Sequence, residues 1–187
     1  MKRTIHAFAA ALALMVLSLP NVAAAADDTF SQDEIMKKAR GFFGETTKGL
    51  AKAVEKIFKD QGRPNAIITG EEASGAFGIG ARYGNGDLIK KGQKPIKVYW
   101  QGPSVGFDIG GNASRVFTLV YHLKNTDLIY QRFPGVDGSF YVVAGVGVNY
   151  LKSGEIIMAP MRTGVGLRAG ASIGYLHFTK EHSWNPF

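Results

Sequence analysis

The chain has 187 residues, no cysteine and a formal net charge of +7. The lack of cysteine excludes disulfide bonds and thiolate metal sites. The length allows one domain with a sizeable core, and the moderate positive charge contains no long basic run.

The amino terminus has the pattern of a secretory signal peptide. Lys2 and Arg3 precede an apolar run over residues 7–19, and an A-x-A cleavage site lies in the small residues 23–26. The apolar run is too short to span a bilayer. We expect residues 1–26 to be removed on export, which takes away two of the 22 basic residues and leaves 20 against 15 acidic ones. For an exported protein of this charge we expect anionic headgroups or polysaccharide as partners rather than nucleic acid.

Residues 27–62 form a predicted helical segment. Ser31 and Glu34 have capping-box spacing, and apolar residues recur at three- and four-residue steps from Ile35 to Phe58. Glycines at 41, 44 and 49 predict a break near the middle. Its basic polar side would suit a membrane surface. We favour packing on a sheet, because a glycine-rich strand face needs a cover.

Residues 63–187 form the predicted β-domain. Short segments with strand periodicity alternate with turn signals such as residues 84–87 and 110–112, which is typical of a small antiparallel β-barrel or roll. Capping residues and a following Pro-Gly predict one short helix over 125–133. The predicted strands cover 66–69, 76–83, 88–89, 96–101, 105–109, 115–123, 139–151, 155–160 and 165–178.

Glycine alternates with bulky residues in three predicted strands, at residues 77–84, 142–150 and 164–175. Because side chains alternate sides along a strand, one face of each segment is almost bare. Glycine weakens a strand unless the site needs a bend or a close approach. The pattern therefore predicts a strongly curved sheet with another part of the molecule against its glycine face.

One motif raises the possibility of catalysis. Residues 102–106 match the G-x-S-x-G nucleophile elbow around Ser104. A strand follows this motif, whereas the elbow needs a helix there, so a serine hydrolase using Ser104 is only the alternative. The three histidines after the signal peptide, His122, His177 and His182, do not have the spacing of a metal-binding motif. We therefore predict no catalytic residue, no cofactor and no metal.

Basic and aromatic side chains mark a candidate ligand site. Cations bracket a predicted hairpin that leads to two aromatic residues, a mixture that suits the boundary between lipid headgroups and acyl chains. A solubilising hairpin beside core aromatics is the alternative. Two arginines on the glycine faces could bind an anion or pair with a strand carboxylate such as Asp108, whereas Glu71 and Glu72 are interpreted as a solvated turn. The candidates are Lys90, Lys91, Lys94, Lys97, Tyr99, Trp100, Arg82 and Arg168.

Two resemblances give these patterns a context. The blocks at residues 99–108 and 126–138 resemble the envelope integrity protein A family of alphaproteobacteria, over nearly the whole chain after residue 26. The blocks at 77–86, 104–111 and 165–172 are more distantly similar to SYLF-type lipid-binding domains. The first resemblance implies a soluble periplasmic β-barrel that supports envelope integrity, with no established reaction. The second implies contact with phospholipid.

Neither resemblance supplies individual site residues. The expected partner is an envelope component, namely anionic lipid, lipopolysaccharide, peptidoglycan or another protein. A small outer-membrane β-barrel ending at Phe187 is an alternative architecture. Pro186 and the non-strand run over 180–186 argue against it, because the last strand would lose ladder hydrogen bonds.

Overall fold

The computed structural model describes residues 27–44, 48–143, 145–163 and 174–185. The predicted signal peptide, Arg168 and Phe187 lie outside these ranges. Across the described residues, no helix has both the length and the apolar character that a membrane-spanning helix requires.

Two helices precede an eight-stranded sheet in which every described strand pairing is antiparallel. This arrangement confirms the predicted mainly β fold with an amino-terminal helical segment packed on it. The helices are α1 (Gln32–Phe43) and α2 (Lys48–Gln61), with one 3₁₀ helix at Thr126–Ile129. The strands are β1 (Ala66–Lys90), β2 (Ile96–Tyr121), β3 (Arg132–Pro134), β4 (Tyr141–Val143), β5 (Val146–Val148), β6 (Leu151–Ser153), β7 (Ile156–Thr163) and β8 (Tyr175–Thr179).

The helical segment begins and breaks where the sequence predicts. The Ser31 hydroxyl accepts a hydrogen bond from the Glu34 amide at 3.2 Å, and the Glu34 carboxylate accepts one from the Ser31 amide at 2.7 Å. These two bonds form the predicted capping box. The chain leaves α1 at Gly44, whose φ of +89° is a conformation that glycine adopts without steric cost. The predicted break therefore produces two separate helices.

A long hairpin replaces several of the predicted short strands. β1 pairs with β2 from Ala66 opposite Val120 to Leu88 opposite Ile96. The predicted turn at 84–87 is wrong, because Asn85 stays extended and pairs with Tyr99. The predicted turn at 110–112 is also wrong, since the register only shifts there. Pairing with a partner strand keeps these glycine-rich tracts extended, which short-range turn signals do not reveal.

Two later elements also differ from the prediction. The predicted strand over 139–151 is divided into β4, β5 and β6, and β4 pairs with β5. Gly145, with φ of +87°, lies between β4 and β5 and allows the chain to reverse. The predicted helix over 125–133 is one 3₁₀ turn, capped by the Asn125 side chain and followed by β3.

The sheet curls around β2, which pairs with β1 along one edge and with β7 and β8 along the other. One hydrophobic cluster fills the inside of the curl, with Ile68, Trp100 and Phe133 among its members. A second cluster lies between the other face of the sheet and the two helices, and includes Ile57 and Phe117. Residues of alternating parity supply the two clusters, as expected for a sheet covered on both faces.

The expectation that the helix covers the glycine face is wrong. The helices pack on the opposite face, and on the inside of the curl Gly70 and Gly84 lie against Trp100, whereas Gly86 lies against backbone. A Cβ on Gly84 would lie 2.1 Å from Trp100 Cε2, and a Cβ on Gly70 would lie 2.2 Å from the Asn85 carbonyl oxygen. β1 therefore bends so sharply that Gly70 and Gly86 meet, which side chains at these positions would prevent.

Candidate functional site

A buried carboxylate, that of Glu72 in β1, lies inside the curl. Its Oε1 accepts hydrogen bonds from Arg82 Nη1 at 2.7 Å and from Arg162 Nε at 3.0 Å. Its Oε2 accepts hydrogen bonds from Trp100 Nε1 at 2.9 Å and from Arg162 Nη2 at 3.2 Å. A carboxylate has about four acceptor positions, so these four donors leave none directed at a ligand.

Three strands position this buried cluster, which we call the Glu72 cluster and define as Glu72, Arg82, Trp100 and Arg162. β1 supplies the carboxylate and one arginine, β2 the indole and β7 the second arginine. The neighbouring glycines leave room for the indole ring. Arg162 also donates from Nη1 to Asn149 Oδ1 at 2.9 Å. Three strands and the Asn149 side chain therefore fix the positions of the cluster's side chains.

The charges of this cluster keep Glu72 ionised. Burial raises the pKa of its carboxyl, but the charges of Arg162 and Arg82 and the hydrogen bonds from Arg162 and Trp100 lower the pKa to about 2. A carboxylate of such low basicity, with every acceptor position occupied, does not suit general base catalysis near neutral pH. Its two arginines and one carboxylate give the Glu72 cluster itself a net charge of +1.

A cleft with aromatic walls lies beside this cluster. It has a volume of about 330 Å³, and it is lined by Glu72 of the cluster and by Gly84, which lies next to the cluster. His182 and Trp184 have ring centroids 4.3 Å apart, and Tyr83 lies edge-on to Trp184 at 5.8 Å. We call it the aromatic cleft; its lining residues are Glu71, Glu72, Ala73, Tyr83, Gly84, Asn85, His182 and Trp184.

One hydrogen bond fixes the outer wall of the aromatic cleft. The Tyr83 hydroxyl donates to the Trp184 carbonyl oxygen at 2.8 Å and so ties the carboxyl-terminal segment to β1. The Trp184 side chain nevertheless remains 76% exposed. Glu71 and Asn85 offer a carboxylate and an amide at the same cleft, and its lining within the described chain contains neither lysine nor arginine.

The structure separates the residues that the sequence analysis groups into one ligand site. Arg82 and Trp100 meet in the Glu72 cluster, whereas the Tyr99 ring lies near His182 at 6.0 Å. Trp100 is only 3% exposed. The proposed insertion of its ring into a membrane boundary is therefore corrected, since the indole is enclosed and hydrogen-bonded. The pairing of Arg82 with a strand carboxylate is found, with Glu72 as a partner. The side chain of Asp108, the carboxylate suggested by the sequence, lies outside the described part of the structure.

The four lysines of the predicted site have four different surroundings. Lys91 forms an ion pair with the capping residue Glu34, and Lys97 pairs with Asp87 at 3.1 Å. Lys94 is exposed at the turn of the β1–β2 hairpin, and Lys90 is buried at the end of β1. The role of these lysines in ligand binding stays a prediction.

Ser104, the alternative nucleophile, lies in the interior of β2 opposite Gly80. A nucleophile elbow needs a strand-to-helix turn, and β2 continues through this position as a strand. The backbone that activates such a serine is therefore not found here. The described residues also bring together no group of three His, Asp or Glu side chains that could hold a metal ion.

The sequence analysis missed four residues of this region: Glu72, Arg162, His182 and Trp184. The interpretation of Glu72 as part of a solvated turn is wrong, because Glu72 lies in β1 and is fully buried. Glu72 lies four residues beyond the core residue Ile68, so strand alternation predicts that both side chains face the same side of the sheet. The aromatic pair at 182 and 184 carries no periodic pattern, so only the folded chain reveals its neighbours.

Comparisons with known proteins place this arrangement in a wider context. The model of the envelope integrity protein A family matches residues 28–187. The chain is also similar to the crystal structure of a β-barrel-like, uncharacterized protein from Brucella abortus, with 49% sequence identity and a TM-score of 0.78. That match covers 86% of this chain and 99% of the other. No curated protein matches in sequence.

Proposed function

The chain belongs to the envelope integrity protein A family, and on that premise we propose that it supports the cell envelope by binding an envelope glycan in the aromatic cleft, without catalysing a reaction. The family implies the envelope role. The glycan, the site and the absence of catalysis are the proposal. We place the protein in the periplasm, in agreement with the predicted export signal.

Trp184 carries this proposal. Its side chain is 76% exposed, and exposed apolar surface marks an interaction site where it forms a patch with neighbouring residues. Its ring is oriented by His182 and Tyr83 rather than projecting alone. The apolar C–H face of a sugar ring stacks on an indole of this kind. The cleft volume of about 330 Å³ is at the lower end of the roughly 300–1,000 Å³ typical of ligand pockets.

The polar groups of the cleft favour a sugar over an anionic headgroup. Glu71 can accept hydrogen bonds from hydroxyl groups, and the Asn85 amide can both donate and accept them. A phosphate group would be repelled by the Glu71 carboxylate. The described lining contains no lysine or arginine to offset that repulsion.

The Glu72 cluster supports a binding role without catalysis. Its carboxylate is fully paired, by four hydrogen bonds from Arg82, Trp100 and Arg162. The cluster forms a rigid floor for the aromatic cleft, because the Glu72 carboxylate is tied to side chains of β1, β2 and β7. Rigid support of this type reduces the entropy that a binding site loses when its ligand arrives.

The test measures binding to soluble peptidoglycan fragments and to the polysaccharide released from lipopolysaccharide. Indole fluorescence and calorimetry should detect one of these glycans with the wild type, and Trp184→Ala should lose the binding while keeping its thermal stability. Val142→Ala, which also trims a side chain that is exposed by about half, is the matched control and should bind normally. Equal binding by wild type and Trp184→Ala would refute the cleft as the site.

A genetic experiment tests the same proposal in cells. Deletion of the gene should sensitise the cells to detergent and to cell-wall antibiotics. Val142→Ala should restore resistance and Trp184→Ala should not. If no glycan binds but an anionic lipid or a protein is recovered with the wild type, the envelope role stands and the glycan is wrong.

A further inference from the structure

A second depression lies apart from the aromatic cleft, where the end of β1 and the end of β2 meet the chain that enters β1. It has a volume of about 850 Å³ and shares no lining residue with the aromatic cleft. We call it the lysine groove; its lining residues include Arg63, Lys90, His122, Lys124, Lys152 and Glu155.

Lys90 is the unusual member of this groove. Its side chain lines the groove, yet the residue is only 9% exposed. Within the described part of the chain its ammonium group has no ion-pair partner, in contrast to Lys91 and Lys97 of the same hairpin. Lysine is rarely buried to this extent without a partner, and the polar end of Lys90 is directed to the groove that it lines. An anion bound in the groove would give this ammonium group a partner.

The backbone beside Lys90 is held in an uncommon conformation. His122 has φ of +59°, the one positive φ outside glycine among the described residues. Asn65 maintains this bend, since its side chain accepts a hydrogen bond from the Leu123 amide at 3.1 Å and donates one to the Leu123 carbonyl at 3.0 Å. The Asn65 carbonyl also accepts a hydrogen bond from the Lys91 amide at 3.0 Å. Backbone held in this way is concentrated at binding sites.

Two lysines of the groove have no ion-pair partner within the described chain. Lys124 is paired with Glu155 at 2.6 Å, and Arg63 is paired with Asp27. Lys90 and Lys152 have no such pair within the described chain, and the other acidic lining residue is the exposed Asp28. The groove lining holds four basic side chains and two acidic ones, so it keeps a net positive charge that favours an anion, and His122 adds a ring N–H donor.

We infer that the lysine groove binds a phosphate monoester group, with Lys90 as its principal contact. A phosphate near neutral pH carries between one and two negative charges and several strong acceptor oxygens. It would supply the anion that Lys90 lacks, and Lys152 and His122 would contact it from the groove wall. The group could come from a lipid headgroup or from a soluble phosphate ester, and the inference does not depend on the glycan of the aromatic cleft.

The first experiment uses inorganic phosphate as the probe, with chloride at equal ionic strength as the reference. Phosphate should raise the melting temperature of the wild type, because a ligand that binds only the folded state stabilises it. Calorimetry should show binding at least about tenfold weaker for Lys90→Gln, which corresponds to about 1.4 kcal/mol. Lys94→Gln is the matched control, since it removes an exposed lysine from the same hairpin. It should bind phosphate like the wild type, as should Trp184→Ala.

Three results would overturn the inference. They are no effect of phosphate on the wild type, equal effects on Lys90→Gln and the wild type, and loss of binding in Lys94→Gln with retention in Lys90→Gln. The last result would favour the exposed hairpin lysines instead. If Lys90→Gln does not fold, Lys152→Gln replaces it and should weaken phosphate binding several-fold, and unchanged binding would again refute the groove.

A second experiment identifies the source of the phosphate. Phosphatidylcholine vesicles with and without phosphatidic acid are compared with soluble glycerol phosphate. Sedimentation with the phosphatidic acid vesicles that Lys90→Gln abolishes would assign a lipid headgroup. Binding of glycerol phosphate without sedimentation would assign a soluble or polymer-borne ester. Failure of both probes to bind the wild type would refute the site.

Discussion

Arg162 donates two parallel hydrogen bonds to Glu72, from Nε to Oε1 at 3.0 Å and from Nη2 to Oε2 at 3.2 Å. The side chains of both residues are almost completely buried. A planar guanidinium matches a carboxylate in this geometry better than any other side chain does. The pair connects β7 to β1, two strands that are not neighbours in the sheet.

Replacement of Glu72 by glutamine should strongly destabilise the protein. The change removes the only negative charge of the Glu72 cluster and leaves two buried guanidinium groups, so we expect a loss of about 3–5 kcal/mol in the free energy of unfolding. Urea unfolding followed by circular dichroism measures it. Glu71→Gln alters the exposed neighbour and should stay within about 0.5 kcal/mol of the wild type. Equal stability of the two variants would contradict this account of the cluster.

Stability should also fall in acid because of Glu72. Its pKa is about 2 in the folded protein and 4.5 ordinarily, so the unfolded chain binds the proton more tightly. The stabilisation is complete above about pH 4.5 and is lost as the pH falls towards 2, by about 3 kcal/mol in total. Unfolding in urea at a series of pH values measures the loss. Glu34, whose folded pKa is also about 2, lies partly exposed to solvent that screens its charge, so Glu34→Gln should keep most of the acid loss. If the loss of stability in acid disappears in Glu34→Gln, it comes from Glu34 and not from Glu72.

The glycine face can be tested with one methyl group. Gly84→Ala would place a Cβ 2.1 Å from the Trp100 ring and displace the indole from Glu72, so we expect a loss of about 1–3 kcal/mol. A changed near-ultraviolet circular dichroism signal should accompany the loss. Gly41→Ala is the control, because it lies in α1 with nothing within 4 Å of the added atom. It should stabilise the protein by about 0.5–1 kcal/mol, and a neutral Gly84→Ala would contradict the packing described.

Removal of the Tyr83 hydroxyl should weaken glycan binding with little effect on the fold. Tyr83→Phe loses the hydrogen bond to the Trp184 carbonyl, worth about 1 kcal/mol, so the affinity should fall about fivefold by calorimetry. The melting temperature should change only slightly. Tyr130→Phe is the control, because Tyr130 makes no side-chain hydrogen bond within the described chain. An unchanged affinity in Tyr83→Phe would show that the hydroxyl does not contribute to glycan binding.

Ser104→Ala should leave the envelope function intact. β2 continues as a strand through Ser104, so the serine lacks the turn that exposes a nucleophile. A deletion strain that expresses Ser104→Ala should resist detergent as well as one that expresses the wild type. The wild type should not be labelled by a serine-directed phosphonate. Labelling that Ser104→Ala abolishes would restore the hydrolase hypothesis.

Local sequence patterns predicted much of the fold and little of the site. The Ser31–Glu34 capping box, the helix break and the curved sheet could be predicted, because each depends on neighbouring residues or on strand alternation. The extended path of Gly84–Asn85–Gly86 could not, since pairing with β2 overrides the turn preference. The contact of Glu72 with Arg162 spans 90 residues of sequence, and no local signal specifies which arginine a buried carboxylate meets.

The Glu72 cluster also sets how the sheet can open. One carboxylate joins β1, β2 and β7, and detaching any of these strands would expose the remaining charges to an apolar interior before water could reach them. Partial opening at this place is therefore costlier than opening of all three strands together. The cluster makes the middle of the curl a single cooperative unit, to which α1 and α2 contribute no residue.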